Sequence, residues 1–88
     1  MMVKLVEFFK PPGERPHLDE VWINPDAVVS IRPERSGLIE EAYDFGIDRN
    51  VEFSKLAVNE SGFSRQIIVI GSPNEVRDKL NKKQLLRD

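Results

Sequence analysis

Apolar positions near the end of this chain form one unbroken run, whereas elsewhere they alternate with polar ones. Ile67 to Ile70 are four consecutive β-branched residues ended by Gly71. Such a run is typical of a strand that is covered on both faces. The residues that follow have the N-cap, the first-position proline and the capping-box glutamate of a helix start: Ser72, Pro73 and Glu75. Residues 66–80 therefore predict a buried strand, a tight turn and a helix.

The predicted C-terminal helix has a narrow apolar stripe. Val76 and Leu80 lie four residues apart, and Leu85 and Leu86 follow near the helix end. This stripe covers one face of a sheet. The second face must then be covered by sheet curvature, by the 38–45 segment or by another molecule. We therefore expect self-association through that face or through an exposed edge strand.

A second predicted strand precedes the run and pairs with it as a hairpin. Its apolar positions are odd-numbered up to Phe53 and even-numbered from Leu56 onwards. This change of parity suggests a bulge near Ser54–Lys55. If Ser61–Gly62 forms a two-residue loop, Leu56 lies opposite Ile67 and Phe53 lies opposite Ile70.

The first half of the chain predicts short strands separated by proline-rich connections. The expected elements are a strand at 3–9, a surface loop at 11–19 that holds a solvated His17, a strand at 21–23, a helical turn at 24–28 and a strand at 29–32. Trp22 has two interpretations. We favour a core or sheet-face residue over an exposed anchor for a partner.

Residues 33–50 mix charges, two glycines and a short apolar spacing at Leu38, Ile39, Ala42 and Tyr43. That spacing fits either a two-turn helix or a mobile loop. A structureless connection of this length is unusual in a small domain, so we expect a partly ordered insertion. The chain as a whole, residues 1–88, predicts one domain with insertions at 11–19 and 33–50.

Charge and composition exclude several classes of function. The 13 basic residues nearly balance the 15 acidic ones, so the chain as a whole is no polyanion binder. The acidic residues concentrate in the middle and the basic ones in the last helix: Glu40, Glu41, Asp44 and Asp48 against Lys79, Lys82, Lys83 and Arg87. The sequence has no cysteine, and its opening residues do not resemble a signal peptide or a membrane span, so we expect a cytoplasmic protein without membrane insertion.

The sequence contains no motif typical of catalysis or of cofactor binding. The five glycines form neither a dinucleotide fingerprint nor a P-loop. One histidine and no cysteine leave only carboxylates as metal ligands, and their spacing is not that of an EF-hand. We therefore predict no cofactor, no metal and no enzymatic activity.

Aromatic and basic side chains remain as candidates for binding a partner. The aromatic candidates are Trp22, Phe8, Phe53 and Phe63. For nucleic acid the candidates are Arg32 and Arg35, which follow the predicted 29–32 strand, together with the basic helix. No aromatics are interleaved with these cations as a stacking platform requires.

Three segments together resemble a known family: the opening VKL, INPDAVVSI at Ile23 to Ile31, and the ending IIVIGSPNEVRDKL. In this order they resemble the small bacterial flagellar accessory proteins of the swarming-motility (SwrD/FlbD-like) family. The resemblance covers about half the chain, which departs from the family by its two insertions and by Gly71 before the serine. It implies a sheet with a final helix and a non-enzymatic accessory role. A fainter likeness to the strand-rich DNA-binding domains of LytTR response regulators accompanies the nucleic-acid alternative.

These observations predict an α+β fold, with a curved antiparallel sheet of four or five short strands and one C-terminal helix packed on it. The predicted function is a small non-catalytic interaction or accessory module that binds a protein partner or associates with itself through its sheet. The alternative is a nucleic-acid-binding regulatory domain that uses Arg32, Arg35 and the basic helix.

Overall fold

The chain forms an open five-stranded antiparallel sheet with helices packed on it. The structure is a computed structural model that describes residues 1–35 and 37–85, and within them all side chains except those of Leu38 and residues 82–85. The strands are β1 (Val3–Phe9), β2 (His17–Ile23), β3 (Val28–Pro33), β4 (Phe53–Glu60) and β5 (Phe63–Ile70), and the helices are α1 (Gly37–Asp44) and α2 (Pro73–Leu85). The order β2-β1-β5-β4-β3 makes β2 and β3 the edges. The predicted α+β fold with a C-terminal helix on an antiparallel sheet is confirmed.

The β4–β5 hairpin has the predicted register. Ser61 and Gly62 both have positive φ, 51° and 83°, the requirement of the two-residue turn that matches the twist of paired strands. Leu56 lies opposite Ile67, and the pairing runs without a shift from one end of the hairpin to the other. The predicted bulge near Ser54–Lys55 is therefore wrong. The change of apolar parity in β4 has another cause, because β4 contributes side chains to two separate cores.

Two hydrophobic cores lie on opposite faces of the sheet. The larger lies under α2 and consists of Val3, Leu5, Ile23, Leu56, Val58, Ile67, Val69, Val76 and Leu80. The smaller lies under α1 and consists of Phe8, Ile39, Ala42 and Phe53, with Tyr43, Ile47, Val51, Ile68 and Ile70 packed against it. The run 67–70 alternates between these cores, so the expected coverage of both its faces is confirmed. The two-turn helix, one of the two alternatives for the 38–45 segment, is the element that forms, and as α1 it covers the second face.

Two hydrogen bonds link the turn from β5 into α2 to Ser54 of β4 and to Glu52, the residue before β4. Gly71, with φ of 123°, donates its N–H to the Glu52 carbonyl at 2.7 Å. The Ser54 hydroxyl, which is fully buried, donates to the Gly71 carbonyl at 2.7 Å. The predicted helix start follows at once, because the Glu75 N–H donates to the Ser72 side-chain oxygen at 3.2 Å. The end of β5 and the start of α2 are thus held at a defined position beside β4.

The first half of the chain matches its predicted elements apart from one boundary. Asn24 caps a 3-10 turn (Pro25–Ala27) by accepting a hydrogen bond from the Asp26 N–H at 3.0 Å, as predicted. The expected surface loop is shorter than 11–19, because β2 begins at His17 directly after the last proline of that segment. His17 is thus an exposed residue at the end of a strand, opposite Phe9.

We expect Ser54→Ala to lower the free energy of unfolding by about 1–3 kcal/mol, because it leaves the buried Gly71 carbonyl without its side-chain donor. Urea unfolding at neutral pH measures this change. Ser64→Ala is the matched control, since Ser64 lies exposed in the same hairpin and its loss should change stability little. Equal effects of the two substitutions would contradict the role given to the Ser54 hydroxyl.

Candidate interaction surface

The two edges of the sheet differ in how far they can pair with another strand. Edge strand β3 has a register shift between Val28 and Ser30 and ends in Pro33, and both features oppose the addition of a strand. Edge strand β2 pairs with β1 at every residue from His17 to Ile23, without a proline or a register shift. The outer side of β2 is therefore a regular seven-residue edge.

One face of β2 carries two exposed apolar side chains. Leu18, Glu20 and Trp22 alternate along the face that α1 shares, lying opposite Phe8, Val6 and Lys4 of β1. Trp22 is 58% exposed and Leu18 is 47% exposed. Of the favoured prediction, a core or sheet-face residue, the core position is therefore wrong: Trp22 lies on a sheet face but is exposed, which fits the anchor interpretation. The reason is the position of α1, which packs over the inner strands at Phe8, Phe53, Ile68 and Ile70 and leaves β2 uncovered.

Two charged side chains, those of Lys4 and Glu20, lie beside Trp22 on this face of the sheet. Lys4 forms an ion pair with Glu20, with 2.9 Å between Nζ and the carboxylate oxygen. The same ammonium group lies 6.0 Å from the centroid of the Trp22 ring, at the limit of a cation–π contact. Lys4 thus bridges the carboxylate and the indole, and the three side chains form a patch on one face of the β1–β2 pair.

The other aromatic candidates separate into core and surface. Phe8 and Phe53 are buried and meet edge to face, with ring centroids 5.6 Å apart, so their prediction as partner-binding residues is wrong. Both rings instead belong to the hydrophobic core between α1 and the sheet. Phe63 is 79% exposed beside the hairpin turn. It lies on the α2 side of the sheet, so the structure does not bring it together with Trp22.

Arg32 and Arg35 are both exposed, but they line different concavities. Arg32 lies opposite Lys55 in a shallow groove of about 480 Å³, which also contains Ser30, Ala57 and Gln66. Arg35 lines a neighbouring concavity of about 260 Å³ together with Arg49 and Glu52. Glu34 lies between the two groups, and its buried carboxylate is 3.3 Å from the Lys55 ammonium. Carboxylates therefore interrupt the positive charge of this region.

The basic helix is described only in part. Lys79 is exposed on α2, whereas the side chains of Lys82, Lys83 and Leu85 and the whole of Leu86 and Arg87 lie outside the described residues. Within the described ranges, no three His, Asp or Glu side chains are placed so that they could hold a metal ion. Neither described helix is both long and apolar enough to cross a bilayer.

A partly buried carboxylate lies on the α2 side of the sheet, beside the exposed end of β2. Glu7 is paired with Asp19 across the β1–β2 ladder. Burial raises the pKa of the Glu7 carboxyl above its ordinary value, an effect that Arg65 opposes and Asp19 increases. The ionised carboxylate is therefore less favourable in the folded protein than in the unfolded chain.

Comparison with protein-family models, with curated proteins and with solved structures found no match for this chain. The resemblances to the swarming-motility family and to the LytTR domains thus stay predictions. The regular edge of β2 and the exposed indole beside it are the features of the described residues that bear most directly on function.

The sequence contained a signal for this surface that the predictions did not use. Leu18, Glu20 and Trp22 follow the two-residue period of a strand, and Asp19, Val21 and Ile23 follow the same period on the opposite face. Continuing the strand back to His17 places Leu18 and Trp22 on one face. Leu18, Glu20 and Lys4 are therefore the members of the surface that sequence reasoning missed.

We expect Phe53→Ala to lower the free energy of unfolding by about 3–5 kcal/mol, because it removes a buried ring from the core under α1. Phe63→Ala is the matched control from the same hairpin and should change stability by less than about 0.5 kcal/mol. Urea unfolding compares the two variants. A small effect of Phe53→Ala would contradict its assignment to the core.

We expect Glu7→Gln to raise the free energy of unfolding at pH 7. Because the folded-state pKa of Glu7 is raised, its neutral carboxyl contributes to the stability of the folded state. This stabilisation is fully present below the unfolded pKa and is lost as the pH rises through the folded pKa. The gain of the variant over the wild type should thus shrink as the pH falls through the raised folded-state pKa, and it should be nearly absent below 4.5, the ordinary value.

Urea unfolding at pH 7 and at pH 4 measures the difference, with Glu14→Gln in the exposed loop as the control. A loss of stability in Glu7→Gln at pH 7 would show that the attraction of Arg65 outweighs the cost of burial.

Proposed function

We propose that this protein is a small non-catalytic interaction module that binds a protein partner at the exposed edge of β2, with Trp22 as the anchor. The observation that carries the proposal is the combination of an edge strand without a proline or a register shift and an indole that is 58% exposed beside it. An edge of this kind invites another strand, and proteins that do not use such an edge usually block it.

The two parts of the surface contribute differently to binding. Backbone groups along the outer side of β2 would pair with an added strand and fix its direction and register. Leu18 and Trp22 would bury apolar surface against that strand, and tryptophan is among the residues that most often dominate binding energy. Lys4 holds the Glu20 carboxylate at 2.9 Å, which lowers the electrostatic cost of an acidic residue at the edge.

Several features support an accessory role without catalysis. His17 is exposed at the end of β2 and lies opposite Phe9. Glu34, which lines both concavities near β3, is engaged by Lys55. An accessory role is also what the resemblance to the flagellar family implies, and the cysteine-free sequence fits the reducing cytoplasm. Self-association is the simplest form of such binding, because every copy presents the same edge.

The nucleic-acid alternative has less support from the geometry. Arg32 and Lys55 are paired across β3 and β4 on an open groove, which is the feature that favours an anion. Glu34 neutralises part of that charge at 3.3 Å from Lys55. A groove that bound a phosphate backbone would lose affinity steeply with salt, which distinguishes it from a surface centred on Trp22.

We expect Trp22→Ala to weaken association without unfolding the domain. Light scattering after size exclusion, over a range of protein concentrations, measures the mass. Circular dichroism and urea unfolding check the fold. Val29→Ala is the matched control, because Val29 is 71% exposed but lies on β3, the opposite edge of the sheet from β2.

Two results would oppose the proposal. Global unfolding of Trp22→Ala would assign the indole a structural role. A wild-type protein that stays monomeric at every concentration would remove self-association as the form of binding.

A further inference from the structure

We propose that the strand added at β2 is β2 of a second copy, paired antiparallel with Glu20 on the two-fold axis. The two sheets would then continue into one sheet across the interface. This inference rests on the proposed function and deepens it, because it names the partner and the register. It uses the regular edge of β2, the exposure of Leu18 and Trp22 and the position of Lys4.

Symmetry leaves few ways in which the two strands can meet. Two identical antiparallel strands are related by a two-fold axis perpendicular to the sheet, which keeps equivalent faces on the same side. Side chains that lie opposite each other in a ladder point to the same face of the sheet, and side chains alternate between faces along a strand. The numbers of two paired residues are therefore both odd or both even. The two-fold axis thus passes through a residue that pairs with the same residue of the second copy. Near the middle of β2 the choices are Asp19, Glu20 and Val21.

The axis at Glu20 is favoured by strand length and by apolar contact. It is the central residue of His17–Ile23, so this register alone pairs β2 over its full length. It also places Leu18 opposite Trp22 of the second copy, twice per dimer. An axis at Val21 would set Trp22 against the Glu20 carboxylate, and an axis at Asp19 would set it against Pro16, outside the strand.

The favoured register brings two Glu20 carboxylates together, and the structure contains a counter-charge for each. Lys4 lies 2.9 Å from Glu20 within its own copy, so the axis would be lined by two ion pairs in place of two bare carboxylates. Like charges directly opposite each other in a ladder still weaken it. Glu20→Gln should therefore tighten the dimer, by roughly two- to fivefold in Kd.

The outer side of β2 is accessible for this pairing. Helix α2 packs mainly against β1, β3 and β4, and the core under α1 draws on β1, β4 and β5. The cores meet β2 only through Val21 and Ile23 among the side chains named in them. Among the described residues, the main contacts of both helices are therefore with strands other than β2.

Single cysteines test the register, since the natural sequence contains none. Asp19→Cys, Glu20→Cys and Val21→Cys are each oxidised at a concentration where light scattering shows the dimer, and disulfide-linked dimer is followed on non-reducing gels. Glu52→Cys, exposed and distant from β2, measures cross-linking by random collision. Residues paired with themselves across a ladder lie within disulfide reach, so Glu20→Cys should cross-link at least tenfold faster than the other three.

The outcomes separate this inference from the proposed function. Fastest cross-linking at Asp19→Cys or Val21→Cys overturns the register assigned to Glu20. A dimer that depends on Trp22 while no position on β2 exceeds the Glu52→Cys control overturns the strand pairing and leaves the proposed binding at Trp22 intact. A monomer at all concentrations, with no cross-linking above the control, overturns both self-pairing and the self-association on which it rests.

Discussion

Strand β5 must remove apolar side chains from water on both of its faces, and the rest of the architecture depends on this constraint. Ile67 and Val69 point to one side, and Ile68 and Ile70 point to the other. Burying each such side chain contributes about 1.5–3 kcal/mol, so neither face can stay open in a domain of modest stability. The chain meets the requirement with α2 on one face and α1 on the other. A single C-terminal helix could have covered only one of the two faces of β5.

The same constraint explains why the outer strands differ from the inner ones. Covering β5 on both faces favours a central position for it, and β5 lies between β1 and β4. Helix α1 has two turns and reaches the middle of its face, so side chains of β2 on that face remain outside its cover. The exposure of Trp22 is thus a consequence of where a short helix sits.

Local chemistry explains most of what the sequence could predict. The capping box, the paired Ser61–Gly62 turn and the uninterrupted run 67–70 each act over a few residues, and the structure contains all three. The apolar spacing in α1 was also sufficient to suggest a two-turn helix, although not to choose it over a loop.

The wrong predictions concern features for which a local pattern has two structural causes, or which depend on residues distant in the sequence. A change of apolar parity in β4 indicates either a bulge or two cores, and the choice requires knowledge of both covering helices. Phe8 and Trp22 occupy strands of similar pattern, yet α1 buries the first and leaves the second exposed. Which strands form the edges depends on the order across the sheet, which a pairing of neighbours along the chain does not determine.

The charges on β2 give the edge its selectivity. Asp19 and Glu20 place carboxylates on both faces of an otherwise regular edge strand, and charged side chains are a common means of preventing indiscriminate strand pairing. An added strand that sets an acidic side chain against one of these carboxylates loses stability. Lys4 relieves that cost at Glu20 but not at Asp19, because it lies on the face of Glu20 and Trp22. An edge of this composition is open to a strand that places apolar groups against Leu18 and Trp22, and it disfavours others, which is the balance that specific binding by a small sheet requires.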